Sequence, residues 1–200
     1  MTKILFICHG NICRSTMAEY VMKHLVEEAG VAADFYIDSA ATSAEEIGNG
    51  VHHGTRRKLA QMGVPCGDHR ARQVTWKDYE SFDCIIGMDN ANIRNLNRML
   101  KNDPDGKISL LLEWTNHSRN GKKGSPESRT AAFWGEKEQG SGAKNACKGV
   151  LRSSGLCDDE MLDYTNRPGE VADPWYTGDF EATYRDVLKG CTGLLEQLSK

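Results

Sequence analysis

The sequence of 200 residues predicts an α/β fold: a single-domain, three-layer αβα arrangement with a four-stranded parallel sheet and a glycine-containing loop after the first strand. Three observations carry that prediction. Short, unbroken apolar runs recur along the chain, as strands buried on both faces require. Most of these runs are followed by a stretch of helical character, which implies right-handed crossovers between parallel neighbours. The length suffices for one well-buried domain and is tight for two.

The elements follow in order. "KILFIC" (3–8) reads as a buried strand. From Thr16 the apolar positions Ala18, Val21, Met22, Leu25 and Ala29 share one helical face. Thr16 and Glu19 have capping-box spacing, and Gly30 marks the stop. "DFYIDSA" (34–40) is a second strand, and "GTRRKLAQMG" (54–63) a short helix closed by Gly63. "DCIIGMD" (83–89) is a third strand, "NANIRNLNRMLKN" (90–102) a helix ended by "DPDG", and "KISLLLE" (107–113) the fourth strand. Phe180, Tyr184, Val187, Cys191, Leu195 and Leu198 form the stripe of a long amphipathic helix.

Residues 114–160 do not fit this pattern. They are rich in Gly, Ser and Lys, with eight Lys/Arg and three Glu between Thr115 and Leu156. They read as a flexible insertion within one domain spanning 1–200. The flanks "LLEWTN" (111–116) and "MLDYTN" (161–166) match, so the chain is expected to leave the fold and re-enter nearby. Lengthening a connection from about 10 to about 60 residues costs only about 1.6 kcal/mol, which a stable sheet tolerates.

A net charge of -3, with 39% hydrophobic and 26% charged residues, is that of an ordinary soluble chain and does not suggest nucleic acid as a partner. No apolar run approaches the roughly 18 residues of a membrane span, and the N-terminus lacks signal-peptide features. Seven irregularly spaced cysteines point to free thiols in a reducing compartment, so a cytoplasmic location is expected. No C-x2-C pair exists, and His52 and His53 have no cysteine or carboxylate at ligand spacing; no metal is expected.

The spacing Cys-x5-Arg occurs twice, in "CHGNICRS" (Cys8–Ser15) and in "CGDHRAR" (Cys66–Arg72), so context must separate them. At Cys8 the cysteine ends a strand and the arginine opens a helix. The stretch His9, Gly10, Asn11, Ile12 and Cys13 can curl so that successive N–H groups face one point, with Gly10 expected to take the positive φ. That nest, the helix N-terminus and the two-pronged Arg14 favour a dianion, and the same field favours a thiolate at Cys8. The bland alternative is a buried thiol at a strand end. "CGDHRAR" follows Pro65 in a polar stretch, carries the repelling Asp68, and starts no helix; it reads as a surface loop.

Attack on phosphorus also needs a proton for the leaving oxygen and an activated water afterwards, and one carboxyl can serve both steps. "VADPWYTG" offers Asp173, kept out of helical geometry by Pro174. Trp175 and Tyr176 would line a groove for an aromatic substrate. A turn leading into the last helix is the other reading.

Together, "FICHGNICRSTMAE" and "VADPWYTGDFEATYRDVLKGC", with "DSAAT", "HRARQV", "FDCIIGMD" and "NLNRML", resemble the low-molecular-weight protein tyrosine phosphatases. The likeness runs through most of residues 1–112 and 161–199. The resemblance implies hydrolysis of phosphotyrosine monoesters, on proteins or small aryl phosphates, through a phosphocysteine on Cys8. It implies that Arg14 binds phosphate and the transition state, and that Ser15 stabilises the thiolate. Asn11 would hold the loop through a network with Ser39 and His69, Asp173 would be general acid and then base, and no metal or cofactor would be used. Cys13 resembles the family's second loop cysteine, which can trap oxidised Cys8 as a disulfide; a small residue packed on the helix is the equal alternative. His69 could instead face solvent.

Two departures stand out. Thr16 takes a place where proline is frequent, and Glu45 one where an aromatic wall is common. A carboxylate at Glu45 weakens stacking and repels acidic peptides. Arsenate reductases share the fold but need extra resolving cysteines, and Cys84 has no partner a few residues later. Phosphoarginine phosphatases often have threonine where Ile12 stands. From a different class, a phosphate-binding regulatory protein of low activity remains open, with an unknown partner for the insertion.

Overall fold

The computed structural model describes residues 1–116 and 169–199. Four parallel strands lie in the order β2-β1-β3-β4: β1 is Thr2–Cys8, β2 Phe35–Ala41, β3 Cys84–Gly87 and β4 Ile108–Leu110. The central β1 pairs along its whole length with β2 and from Ile4 to Ile7 with β3, which is why its apolar run shows no polar alternation. Ile4 and Phe6 face a core shared with helices α1 (Arg14–Glu28) and α6 (Phe180–Leu198). Leu5 and Ile7 face the opposite core, with Tyr79 from α3 (Trp76–Ser81) and Leu96 from α4 (Asn90–Met99). Helix α2 (His53–Gln61) lies on the α1 side, its Leu59 fully buried there. The three-layer αβα prediction holds.

Several boundaries differ from the sequence reading. Helix α1 starts at Arg14, not Thr16, and its N-cap Cys13 makes no side-chain cap. The Thr16 hydroxyl instead donates to the Cys13 carbonyl at 2.9 Å. Glu19 is buried and accepts from Ser39 Oγ at 2.5 Å and from Lys23 Nζ at 2.5 Å, so Thr16 and Glu19 form no capping box. A capping box occurs at Thr75 and Asp78, opening α3, a helix of six residues too short to display an apolar stripe. The fourth strand stops at Leu110 and tightens into a 3-10 turn over Leu111–Asn116.

Trp114 is packed against the larger core, and its indole N–H donates to Ser109 Oγ at 3.0 Å. Residues 114–116 therefore belong to the folded part and not to the expected insertion. The rest of that stretch, with "MLDYTN", lies outside the described residues. No described helix is long and apolar enough to cross a membrane.

Helix α6 approaches the 3-10 turn closely because Gly193 has no side chain: a Cβ there would stand 2.5 Å from the Trp114 carbonyl oxygen. Gln197 Nε2 donates to the same oxygen at 2.7 Å, fixing it in place. Alanine gains about 1 kcal/mol of helix propensity, whereas overpacking against unyielding backbone costs about 1–3 kcal/mol. Gly193→Ala is therefore expected to destabilise the protein, lowering the urea midpoint at unchanged m-value.

Candidate active site

The turn between β1 and α1 is shaped by Asn11, which is fully buried and holds φ of 58°. The expectation that Gly10 supplies the left-handed residue is incorrect. Asparagine tolerates that region through its short polar side chain. The small size of Gly10 serves spacing instead, since a Cβ would lie 3.0 Å from Glu46 Cγ.

Asn11 Nδ2 donates to Ser15 Oγ at 3.0 Å and to Ser39 Oγ at 2.8 Å, and its Oδ1 accepts from the Arg72 N–H at 3.1 Å. Its carbonyl lies 2.8 Å from His69 Nε2, so that nitrogen carries the proton. Its own N–H donates to Cys8 Sγ at 3.2 Å. Ser15 Oγ lies 3.1 Å from the same sulfur; because it already accepts from Asn11, its hydrogen is free for Sγ. Two donors thus converge on one buried sulfur.

Arg14 is buried between two carboxylates. Nη1 reaches Asp89 Oδ2 at 2.5 Å and Nη2 reaches Asp173 Oδ2 at 2.6 Å. Burial opposes its charge, but Asp173, Cys8 and Asp89 together outweigh that effect and raise its pKa. Asp173 is in extended conformation, caps the short helix α5 (Pro174–Thr177) and accepts from the Trp175 N–H at 3.1 Å. The segment before it is tied to the end of β3. Val171 N–H donates to the Met88 carbonyl at 2.9 Å, and Glu170 accepts from Asn90 N–H and Nδ2 at 3.0 and 2.6 Å.

A cleft of about 160 Å³ opens above the sulfur. The predicted residues Cys8, His9, Gly10, Ile12, Cys13, Arg14, Glu45, Asp173, Trp175 and Tyr176 line it, together with Glu46. Asn11, Ser15, Ser39 and His69 brace it from behind. At the mouth, His9 Nε2 lies 3.2 Å from Glu45 Oε2, with both side chains exposed. Cys13 is buried, and burial, followed by the negative charges of Cys8 and Asp173, pushes its pKa up to about 12. The loop "CGDHRAR" forms no anion site; through His69 and Arg72 it buttresses the first motif. The described cysteines are free thiols, and no cluster of three metal-ligating side chains exists among the described residues.

Asp89 and Glu46 escaped the sequence reading. For Asp89 the available signal was an N-cap aspartate at the carboxyl end of a strand, where parallel sheets bind ligands. For Glu46 adjacency to Glu45 was the only hint.

A family profile described as "Low molecular weight phosphotyrosine protein phosphatase" matches residues 3–128. The low molecular weight protein-tyrosine-phosphatase YfkJ of Bacillus subtilis is 30% identical over 200 residues, covering 100% of this chain and 97% of that protein. The low molecular weight phosphotyrosine protein phosphatase of Homo sapiens is 44% identical over 95 residues, 48% of this chain and 60% of its own length. The crystal structure of YfkJ matches with a TM-score of 0.71 at 29% identity, covering 100% of this chain and 95% of the other.

With its pKa near 12, Cys13 stays a thiol at neutral pH and is a poor nucleophile. Iodoacetamide at pH 7 is therefore expected to alkylate Cys8 and leave Cys13 unmodified, with inorganic phosphate slowing the reaction at Cys8. Peptide mass spectrometry reads both sites, and modification of Cys13 ahead of Cys8 would contradict the assignment.

Proposed function

The chain belongs to the low molecular weight phosphotyrosine protein phosphatase family, and on that premise we propose that it hydrolyses phosphotyrosine, on proteins or as small aryl phosphates, at the Cys8 cleft. The observation that carries this reading is the convergence of the Asn11 N–H and the Ser15 hydroxyl on Cys8 Sγ, beneath Arg14 and Asp173.

An arriving phosphoryl dianion takes over the Arg14 prong held by Asp173, while Asp89 keeps the other edge of the guanidinium fixed. Loop N–H groups and the α1 N-terminus hold the remaining oxygens. Cys8 sulfur attacks phosphorus in line, and the phosphorus–oxygen bond to the tyrosine ring breaks. Asp173, released from the guanidinium and having taken up a proton from solvent, gives that proton to the departing oxygen, which leaves as a neutral phenol. Asp173, now a carboxylate, takes a proton from water. That water oxygen attacks phosphorus, the sulfur–phosphorus bond breaks, and inorganic phosphate leaves with Cys8 restored as thiolate. Asp173 relays each proton, and Arg14 with the loop offsets the phosphoryl charge, so this route calls on no metal or cofactor.

Trp175 and Tyr176, 60% and 61% exposed, stand beside the cleft as apolar walls for an aryl ring. Ile12 narrows it from the loop side. Glu45, hydrogen-bonded to His9 at the mouth, disfavours strongly acidic sequences around the phosphotyrosine. Free thiols among the described cysteines support work in a reducing compartment such as the cytoplasm.

Turnover of an aryl phosphate in the presence of a chelator is the direct assay. Cys8→Ser is expected to abolish it while retaining phosphate binding. Asp173→Ala is expected to lower kcat by about 10²–10³-fold with a phenolate leaving group of high pKa. An unchanged rate in Asp173→Ala would remove Asp173 from the acid role. Asp89→Asn leaves Arg14 without its fixed partner, and about a tenfold loss in kcat/KM is expected from the misplaced guanidinium.

A further inference from the structure

The acid segment is bracketed by two left-handed glycines, Gly169 at φ 89° and Gly178 at φ 69°. Its front end is tied to β3 through Val171 and Glu170. Between the brackets only Val171 and Pro174 are buried, and Trp175 and Tyr176 are largely exposed.

The rear hold is the Phe180 ring. It packs against Ile12 and Cys13 of the phosphate loop, and it lies so close to Gly54 that a Cβ there would be 2.3 Å from it. The His52 imidazole is stacked on it nearly flat, with centroids 5.4 Å apart and planes 9° apart. The same imidazole meets Trp175 edge-on at 6.0 Å. Meanwhile the His52 backbone N–H donates to the Ile12 carbonyl at 2.9 Å. His52 Nδ1 accepts the Gly54 N–H at 3.1 Å, capping α2, which requires a ring nitrogen without a proton. Burial and then the neighbouring His53 lower the His52 pKa, against an opposing pull from Glu46, which keeps the ring neutral and the cap intact.

One residue thus grips the nucleophile loop through its main chain and the acid segment through its ring. We propose that His52 is a positioning residue for the acid step: its stack on Phe180 and Trp175 sets where Asp173 stands above Cys8. The proposal rests on Asp173 being the general acid. It has a specific kinetic consequence, because a displaced acid harms only those substrates whose leaving oxygen needs a proton.

The test uses the full-length protein and measures kcat/KM for aryl phosphates of rising leaving-group pKa, with inhibition by inorganic phosphate alongside. His52→Asn keeps a capping acceptor without the ring, and His52→Phe keeps the ring without the acceptor. The expected result is that His52→Asn loses about tenfold more on phenyl phosphate than on 2,4-dinitrophenyl phosphate, with phosphate inhibition changed less than about twofold. His52→Phe is expected to stay close to wild type in that ratio. A uniform loss across leaving groups, weakened phosphate inhibition, or a wild-type profile in His52→Asn would overturn the proposal. Asp173→Ala in the same series separates the two readings. A steepened dependence there with none in the His52 variants refutes the His52 role alone, while no steepening in Asp173→Ala refutes the acid assignment and this inference with it.

Discussion

The site depends on the satisfaction of one buried amide residue. Asn11 stands in a backbone conformation that costs a non-glycine residue roughly 1–3 kcal/mol, and it does so with no exposure to water. Its side chain and both main-chain groups all find partners, in Ser15, Ser39, Arg72, His69 and Cys8. Buried hydrogen bonds of this kind are expensive to break because the abandoned partners stay out of water. The conformation therefore persists, and with it the direction in which the loop N–H groups point. The sulfur, the serine and the arginine take their positions from that one residue. Ser39 and Glu19 extend the network to β2 and α1, so the loop is braced by the sheet itself.

The second organising feature is charge. Arg14 is nearly buried, which is tolerable only because two carboxylates and the Cys8 sulfur surround it. The two carboxylates have unequal supports. Asp89 is locked as the cap of α4, accepting from Asn92 N–H at 2.6 Å, whereas Asp173 belongs to a segment between two permissive glycines. A dianion entering the cleft competes for the guanidinium with the less firmly held of the two. Exchange of one anion for another keeps the buried cation compensated throughout.

Much of this was legible in the chain. The four apolar runs and the stripes on α1 and α6 declare a parallel sheet covered on both sides. The strand-loop-helix setting of "CHGNICRS" separates it from its double at Cys66. Asp173 stands out through Pro174 and the two aromatics after it. What stayed hidden was tertiary. No spacing announces that Asn11 rather than Gly10 turns the corner, because its cost is met by partners from Ser39, His69 and Arg72, distant in sequence. Asp89 reads as a helix cap, which it is, and its second role depends on the sheet bringing β3 beside β1. The loop "CGDHRAR" reads by itself as a surface loop; only the resemblance points to His69 as a support, and the Arg72 contact goes unannounced. His52 is weighed in the sequence only as a metal ligand, because neither Ile12 nor Phe180 is near it in the chain. Helix α3 escaped because it has only six residues, of which Tyr79 alone is buried.

Helix α6 comes after every other described element, yet it completes the apolar core over α1, and Asp173 joins the site only just ahead of it. A growing chain on the ribosome therefore emerges with the Cys8 loop long before Asp173. Until α6 follows, the apolar face of α1 that it covers has no partner from that helix. During that interval Asp173 is not yet beside Arg14, and the cleft over the Cys8 sulfur is incomplete.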